Sequence, residues 1–257
     1  MLAEERRQRI TLALKSDRRV SVSDLSRTFG VSEETIRRDL EKLETDGIAR
    51  RTYGGALYNE DERRETPYDI RKRSDVEAKS AIARLTANLI SDGEYIMLDE
   101  SSTSFYIASE LKAKRDLTVI TNSMEIIGEI APVQGWTILC TGGQKRASAP
   151  SFAGHLAESM VSRYHVDKAI ISCDSLDIDA GFTDRHEDTA LIKRAMMASA
   201  KQVILAVDHG KFGRVAFAGI GDLSSVDCVV TDVEPDARFR EAFDKCGIKL
   251  LYSQGRN

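Results

Sequence analysis

Apolar positions recur at helical spacing three times in the first 58 residues. Ile10 and Leu14 stand at i, i+4 within residues 4–16 and predict one helix. Ser21-Val22-Ser23-Asp24 reads as a capping box opening a second, shorter helix that buries Leu25 and Phe29 and stops at Gly30. Ser32 then caps a third helix reaching about Glu44. Ile36, Leu40 and Leu43 form its buried stripe, and Gly47 ends it. Residues 48–53 and 56–58 follow as short strands joined by Gly54-Gly55, a pair that suits a tight hairpin. Three short helices and a hairpin in this order predict a winged helix-turn-helix over residues 1–58.

The rhythm changes from residue 76 onward. Short apolar runs at 95–98, 117–120, 136–140, 169–172, 203–207, 228–230 and 248–252 predict strands. Helical patterns lie between most of them, notably at 76–90, 103–113, 186–200 and 235–246. Such alternation predicts an α/β domain over residues 76–257, built on a mostly parallel sheet covered on both faces. Residues 59–75 are dense in charge and hold one proline, Pro67. They predict a solvated linker, part of which could continue as helix into the next segment.

Composition adds limits. Hydrophobic residues make up 42% and charged ones 30%, which suits a folded, soluble chain. No apolar run approaches the ~20 residues that cross a bilayer. The first residues turn charged at once, so a cytoplasmic protein without membrane partners is expected. The net charge of −4 divides unevenly. Residues 1–58 carry 12 Lys/Arg against 10 Asp/Glu, and the remainder carries 25 against 31. An acidic bulk does not prevent DNA binding when basic groups sit at the contact surface. Cys140, Cys173, Cys228 and Cys246 form no C-x-x-C pair, and three of them lie in or against apolar runs, so buried reduced thiols are expected. The four histidines lack ligand spacing, so no metal is expected. Neither G-x-G-x-x-G nor G-x-x-x-x-G-K-S/T occurs, so no nucleotide cofactor is expected.

The third helix places Glu34, Arg38 and Glu41 opposite its buried stripe, flanked by Thr35 and Arg37. Arg38 has the fork that pairs with a guanine, Arg37 or Thr35 could take a phosphate, and Glu34 could accept from a cytosine amino group. Arg50, Arg51 and Tyr53 flank the Gly54-Gly55 tip, whose missing side chains would let the backbone approach the DNA wall. The competing reading is that these arginines only pair with Glu34, Asp39 and Glu41 on a solvated face.

In the second domain, strand ends run into loops rich in small and hydroxyl residues. Asp99-Glu100-Ser101-Ser102-Thr103-Ser104, Thr121-Asn122-Ser123 and Thr141-Gly142-Gly143 fall after successive strands, hence on one edge of a parallel sheet. Such loops at helix N-termini suit an anion or polyol, although each taken alone is more simply a helix cap. Asp174, Glu187, Lys193 and Lys211 add carboxylates and amines that could bind a sugar phosphate or move a proton.

Val31-Ser32, Thr35-Ile36-Arg37-Arg38-Asp39-Leu40, Leu43, Gly47, Arg51 and Gly54-Gly55-Ala56 together closely resemble the DeoR family of bacterial sugar-metabolism regulators. The likeness continues through Thr66-Pro67, Lys79, Ile82-Ala83, Asp99 with Ser102-Thr103, Thr121-Asn122-Ser123, Gly142-Gly143, Asp167, Gly181, Lys193-Arg194-Ala195-Met196 and Asp208 with Lys211-Phe212-Gly213. The resemblance implies operator DNA as partner, with Ser32 to Thr35 opening the recognition helix and Glu33 and Glu34 setting individual preference. It implies an effector domain similar in fold to ribose-5-phosphate isomerase that senses a phosphorylated sugar. That pocket is expected to include Asp99, Ser101, Ser102, Thr103, Asn122, Gly142, Gly143, Asp174, Lys193 and Lys211. Ser101 stands where the family usually has glycine, and Cys173-Asp174-Ser175 replaces a glycine-rich segment. A homo-oligomeric repressor, at least a dimer, is expected. An activator, a sugar-phosphate isomerase and a ligand-free oligomerisation scaffold are the alternatives.

Overall fold

The computed structural model describes residues 2–45, 47–59 and 66–253. The chain forms two compact units that divide between Ser74 and Asp75.

The N-terminal unit runs α1 (Ala3–Asp17), β1 (Arg19–Ser21), α2 (Val22–Phe29), α3 (Glu33–Thr45), β2 (Ala49–Thr52), β3 (Gly55–Tyr58) and α4 (Tyr68–Arg73). The caps form where the sequence places them. Ser21 Oγ accepts from the Asp24 amide and Ser32 Oγ from the Thr35 amide at 3.2 Å, while Gly30 adopts φ +63° to end α2. Ile10, Leu14, Leu25, Ile36, Leu40 and Leu43 interlock as one core. The unit is a winged helix-turn-helix with one strand more than expected. β1 pairs antiparallel with β3, making the wing a three-stranded sheet in the order β1-β3-β2. The predicted linker is only partly solvated. Its residues 60–65 lie outside the described residues, but Tyr68 on α4 is buried and Ile70 packs on the N-terminal core.

The C-terminal unit continues with α5 (Val76–Ala87), β4 (Tyr95–Leu98), α6 (Ser102–Leu111), β5 (Thr118–Thr121), α7 (Met124–Ile130), β6 (Thr137–Cys140), β7 (Gln144–Lys145), β8 (Phe152–Ala153), α8 (His155–Val161) and β9 (Val166–Ile171). It ends with β10 (Ser175–Asp177), β11 (Gly181–Asp184), α9 (Glu187–Ala198), β12 (Ala200–Ala206), β13 (Ala218–Gly221), β14 (Cys228–Thr231), α10 (Ala237–Cys246) and β15 (Lys249–Tyr252). Seven strands form one parallel sheet in the order β15-β14-β12-β9-β4-β5-β6. Apolar clusters fill both of its faces, one under α5, α6 and α7 and others under α8, α9 and α10. All seven strands overlap the predicted runs, with ends that differ by at most three residues. A small antiparallel sheet, β10-β11-β13, and the β7–β8 hairpin stand beside it.

The strand order matters for function. From β4 the chain steps outward through β5 and β6, then crosses to the other side of β4 as β9 and steps outward again through β12, β14 and β15. Loops leaving the carboxyl ends of β4 and β9 therefore diverge to opposite faces, and the gap between them is where open parallel sheets accept ligands.

Two of the four cysteines, Cys173 and Cys228, are buried, and burial pushes the Cys228 thiol up to about 11. Cys140 and Cys246 are exposed, contrary to expectation, because one ends the edge strand β6 and the other the solvent side of α10. Among the described residues, no helix is long and apolar enough to cross a membrane, and no three His, Cys, Asp or Glu side chains gather as a metal site requires.

Candidate functional site

On the N-terminal unit, α3 presents Glu33, Glu34, Arg37, Arg38 and Glu41 to solvent while burying Ile36, Leu40 and Leu43. The arginines meet the carboxylates one turn away. Arg37 pairs with Glu33 at 2.8 Å and Arg38 with Glu34 at 3.4 Å. On the wing, Arg51 Nη1 lies 2.7 Å from Glu41, and the Arg51 amide donates to Glu44. The solvated-pair reading is thus partly realised. Exposed pairs of this kind contribute about 0–1 kcal/mol, so they do not hold the arginines back from a stronger anion. Arg50 and Tyr53 are exposed, and Tyr53 projects fully into solvent at the wing tip.

Two residues in this region serve the fold. Asp39 is buried and pairs with Arg6 of α1 at 2.5 Å and with Arg7 at 3.4 Å, so it anchors α3 to α1 and is withdrawn from the exposed arginines. Gly55 lies against β1, where a Cβ would fall 1.9 Å from the Val20 carbonyl oxygen. Its missing side chain serves strand packing, and only Gly54 faces open space.

At the carboxyl end of the parallel sheet, the residues after β4 and β9 converge. Asp99 is completely buried. One of its carboxylate oxygens accepts from the Ser101 amide and the Ser104 hydroxyl, and the other accepts from the Ser172 amide at 2.7 Å across the gap. Lys193 reaches in from α9, with Nζ 3.3 Å from Asp99, 2.7 Å from Asp184 and 2.9 Å from the Ser172 carbonyl. Burial works to lower the Lys193 pKa, but Asp184, Asp99 and Glu100 outweigh it and hold the ammonium well above its usual range. Asp184 in turn accepts from the Asp174 amide, and Asp174 pairs with Arg185 and lies 3.8 Å from Lys211 Nζ. Beside them, Asn122 Nδ2 donates to Glu100 and to the Phe152 carbonyl, both at 2.9 Å. Burial raises the Glu100 pKa, with Asp99 and Asp184 adding to the rise and Lys193 and Asn122 opposing it.

Of the predicted pocket residues, Asp99, Asn122, Asp174, Lys193 and Lys211 join one polar network at this edge. Ser102 and Thr103 open α6 there and are buried. Three more of the expected residues have local roles in the fold. Ser101 turns its hydroxyl back onto α6, accepting from the Ser104 amide and donating to the Ser104 hydroxyl, so it adds no free donor. Gly143, at φ +104°, passes so close to Ala153 and α8 that a Cβ would fall 2.8 Å from the Ala153 carbonyl oxygen; it makes room for chain. Gly142 needs its left-handed φ of +62° for the turn after β6. Glu100, Ser172 and Asp184 were not anticipated. The meeting of β4, β9, β11 and α9 brings them together, and no sequence spacing carries that meeting.

The comparisons with known proteins agree with this division. The DeoR-like helix-turn-helix domain matches residues 6–62, and the DeoR C terminal sensor domain matches residues 74–233. The chain belongs to the DeoR family. It is 37% identical over 250 residues to the uncharacterized HTH-type transcriptional regulator YulB of Bacillus subtilis, covering 97% of this chain and 96% of that one. It is 35% identical over 254 residues to the HTH-type transcriptional repressor GlcR of the same organism, covering 99% and 98%. Ribose 5-phosphate isomerase A from Methanocaldococcus jannaschii overlays 52% of this chain and 53% of its own at 16% identity, with a TM-score of 0.39, an overlap too loose to carry an argument. In this family the α/β unit is a sensor domain, not an enzyme.

Proposed function

We propose that this DeoR-family chain is a cytoplasmic, homo-oligomeric repressor of a sugar or carbon-metabolism operon, and that a phosphorylated sugar or related metabolite controls its grip on operator DNA. Ser32, Glu33, Glu34, Thr35, Arg37 and Arg38 would face the major groove, while Arg50, Arg51, Tyr53 and Gly54 would follow the backbone beside it. The effector would lie over the gap between β4 and β9. The first turn of α6, with Ser102 and Thr103, and the cations Lys211 and Arg185 suit its phosphate, and Asp99, Asn122, Asp174 and Lys193 suit its polar body. One observation carries the reading. The network of Asp99, Lys193, Asp184 and Asp174 sits at the one point of the sheet where strand order reverses, on a chain that also bears a winged helix-turn-helix. The effector would act by binding one arrangement of the oligomer better than another, changing how its two recognition helices are presented.

Thermal unfolding against sugar phosphates and their unphosphorylated parents tests the sensor. A ligand at 100 times its dissociation constant stabilises by about 2.7 kcal/mol. For a unit of this size that is a shift of roughly 5–10 °C. A shift with a phosphate and none with its parent, together with loss of operator binding, is the expected result. Silence across the panel, or turnover of a sugar phosphate, would overturn it.

A further inference from the structure

Three carboxylates, Asp99, Glu100 and Asp184, are buried around a single amine, Lys193. Lys193 is committed to Asp99 and Asp184. Asp99 further gains the Ser101 and Ser172 amides and the Ser104 hydroxyl, and Asp184 gains the Asp174 amide. Glu100 is the carboxylate in excess, and Asn122 Nδ2 is the donor that reaches it.

The second half of the same amide gives an independent sign. Asn122 is completely buried, and its Nδ2 donates to two acceptors, Glu100 Oε2 and the Phe152 carbonyl. That pairing fixes which end of the amide is nitrogen. Asn122 Oδ1 is then an acceptor with no partner among the described residues. Ser151, completely buried and next in the chain to Phe152, has a hydroxyl in the same condition. A carboxylate in excess, an idle amide oxygen and an idle hydroxyl oxygen call for a group rich in donors and carrying positive charge. A primary ammonium offers three N–H donors and one charge, whereas a sugar hydroxyl offers one donor and none. At Asp174, by contrast, the cations Arg185 and Lys211 lie within ion-pair distance.

We propose that Glu100, Asn122 and Ser151 form an ammonium-reading subsite, so that the effector is an amino sugar phosphate or amino polyol phosphate, its phosphate at the Lys211 and Arg185 end and its amine at Glu100. This rests on the reading that the crevice binds a phosphorylated metabolite. Burial raises the Glu100 pKa in the free protein, and an ammonium beside it would oppose that rise.

The test is calorimetry on the full-length protein with hexose and pentose phosphates, each beside the counterpart in which one hydroxyl is replaced by an amine. Glucose 6-phosphate and glucosamine 6-phosphate make the first pair. Each titration is run near neutral pH. The expected result is one amine that binds at least about tenfold tighter than its parent. Glu100→Gln, which keeps the shape and still accepts from Asn122, should abolish the preference, and Ser151→Ala should reduce it. If parent sugar phosphates bind and no amine gains on them, or if the gain survives in E100Q, the subsite is overturned while the sensor reading stands. If no phosphate of either kind binds, the sensor reading itself fails and takes the subsite with it.

Discussion

Asp39→Ala separates anchoring from base reading in the signature string of α3. Asp39 lies in the middle of Thr-Ile-Arg-Arg-Asp-Leu, yet only 3% of its surface is exposed, and its carboxylate meets Arg6, itself 6% exposed. Removing one partner of a buried pair leaves the other charge buried and uncompensated, which costs about 3–5 kcal/mol. For a unit of some 60–100 residues each kcal/mol moves the midpoint by roughly 4–8 °C. The N-terminal unit should therefore melt more than about 12 °C lower. The chain reports its two units separately. Its single tryptophan, Trp136, lies in the C-terminal unit, while circular dichroism sees the helices of both. The expected outcome is an early helical transition in D39A with the Trp136 transition unmoved. Replacing Arg6 and Asp39 together with apolar residues should recover most of the loss. A D39A protein that melts like the parent but no longer prefers its operator would refute the argument and make Asp39 a base-reading residue.

The remaining predictions concern single contacts. Arg38→Ala should cost about 1–3 kcal/mol on operator DNA and little on random DNA, measured by fluorescence anisotropy at fixed salt; equal losses on both would assign Arg38 to a phosphate. Gly55→Ala should weaken DNA binding and destabilise the N-terminal unit, because its Cβ would fall 1.9 Å from the Val20 carbonyl oxygen, whereas Gly54→Ala should leave stability nearly unchanged; circular dichroism melts compare the two. Lys193→Met should lower the Trp136 transition sharply, since Asp99 and Asp184 would then be buried without their cation. His209 pairs with Asp232 at 2.6 Å, and that hydrogen bond raises the imidazole pKa above 6.5. The folded state then holds the extra proton more tightly, so this contribution is full below pH 6.5 and is lost as pH rises through the folded pKa. Melts from pH 5.5 to 8.5 should show that decline in the parent and not in His209→Gln.

What the sequence makes legible follows from the range of the interactions. Helices α1 to α3 and the seven parallel strands announce themselves through local periodicity, and Ser21 and Ser32 cap as their spacing says. β1 leaves no such trace, since Arg19–Ser21 becomes a strand only by pairing with Gly55–Leu57 far along the chain. The same holds for the small sheet β10-β11-β13 and the two-residue strands β7 and β8. Ile70 escapes notice because charged neighbours mask an apolar position that the N-terminal core uses, and the buried Tyr68 is masked in the same way. At the candidate site, Asp99, Asn122 and Lys193 stand out as residue types after strands or on a helix. Glu100 and Asp184 do not, because their importance comes from a charge count that exists only once β4, β9, β11 and α9 meet. Ser101, Gly55 and Gly143 look like binding residues, and the geometry shows that each satisfies a helix end or makes room for neighbouring chain.

The two units use buried charge in the same way, and this separates residues that hold the molecule together from residues free to bind. Asp39 ties α3 to α1, and Asp99 ties the end of β4 to β9 and α9; each is buried, each meets a buried cation, and each joins elements that chain connectivity leaves independent. A carboxylate so engaged is needed by the fold before it can meet any ligand. The groups still able to exchange partners are those in weak exposed pairs, such as Arg37 and Arg38, and those left over by the count, such as Glu100 and the idle oxygen of Asn122. If that division is right, substitutions at Asp39 and Asp99 should change stability first and binding only as a consequence. Substitutions at Arg38 and Glu100 should change binding while the melting transitions stay in place.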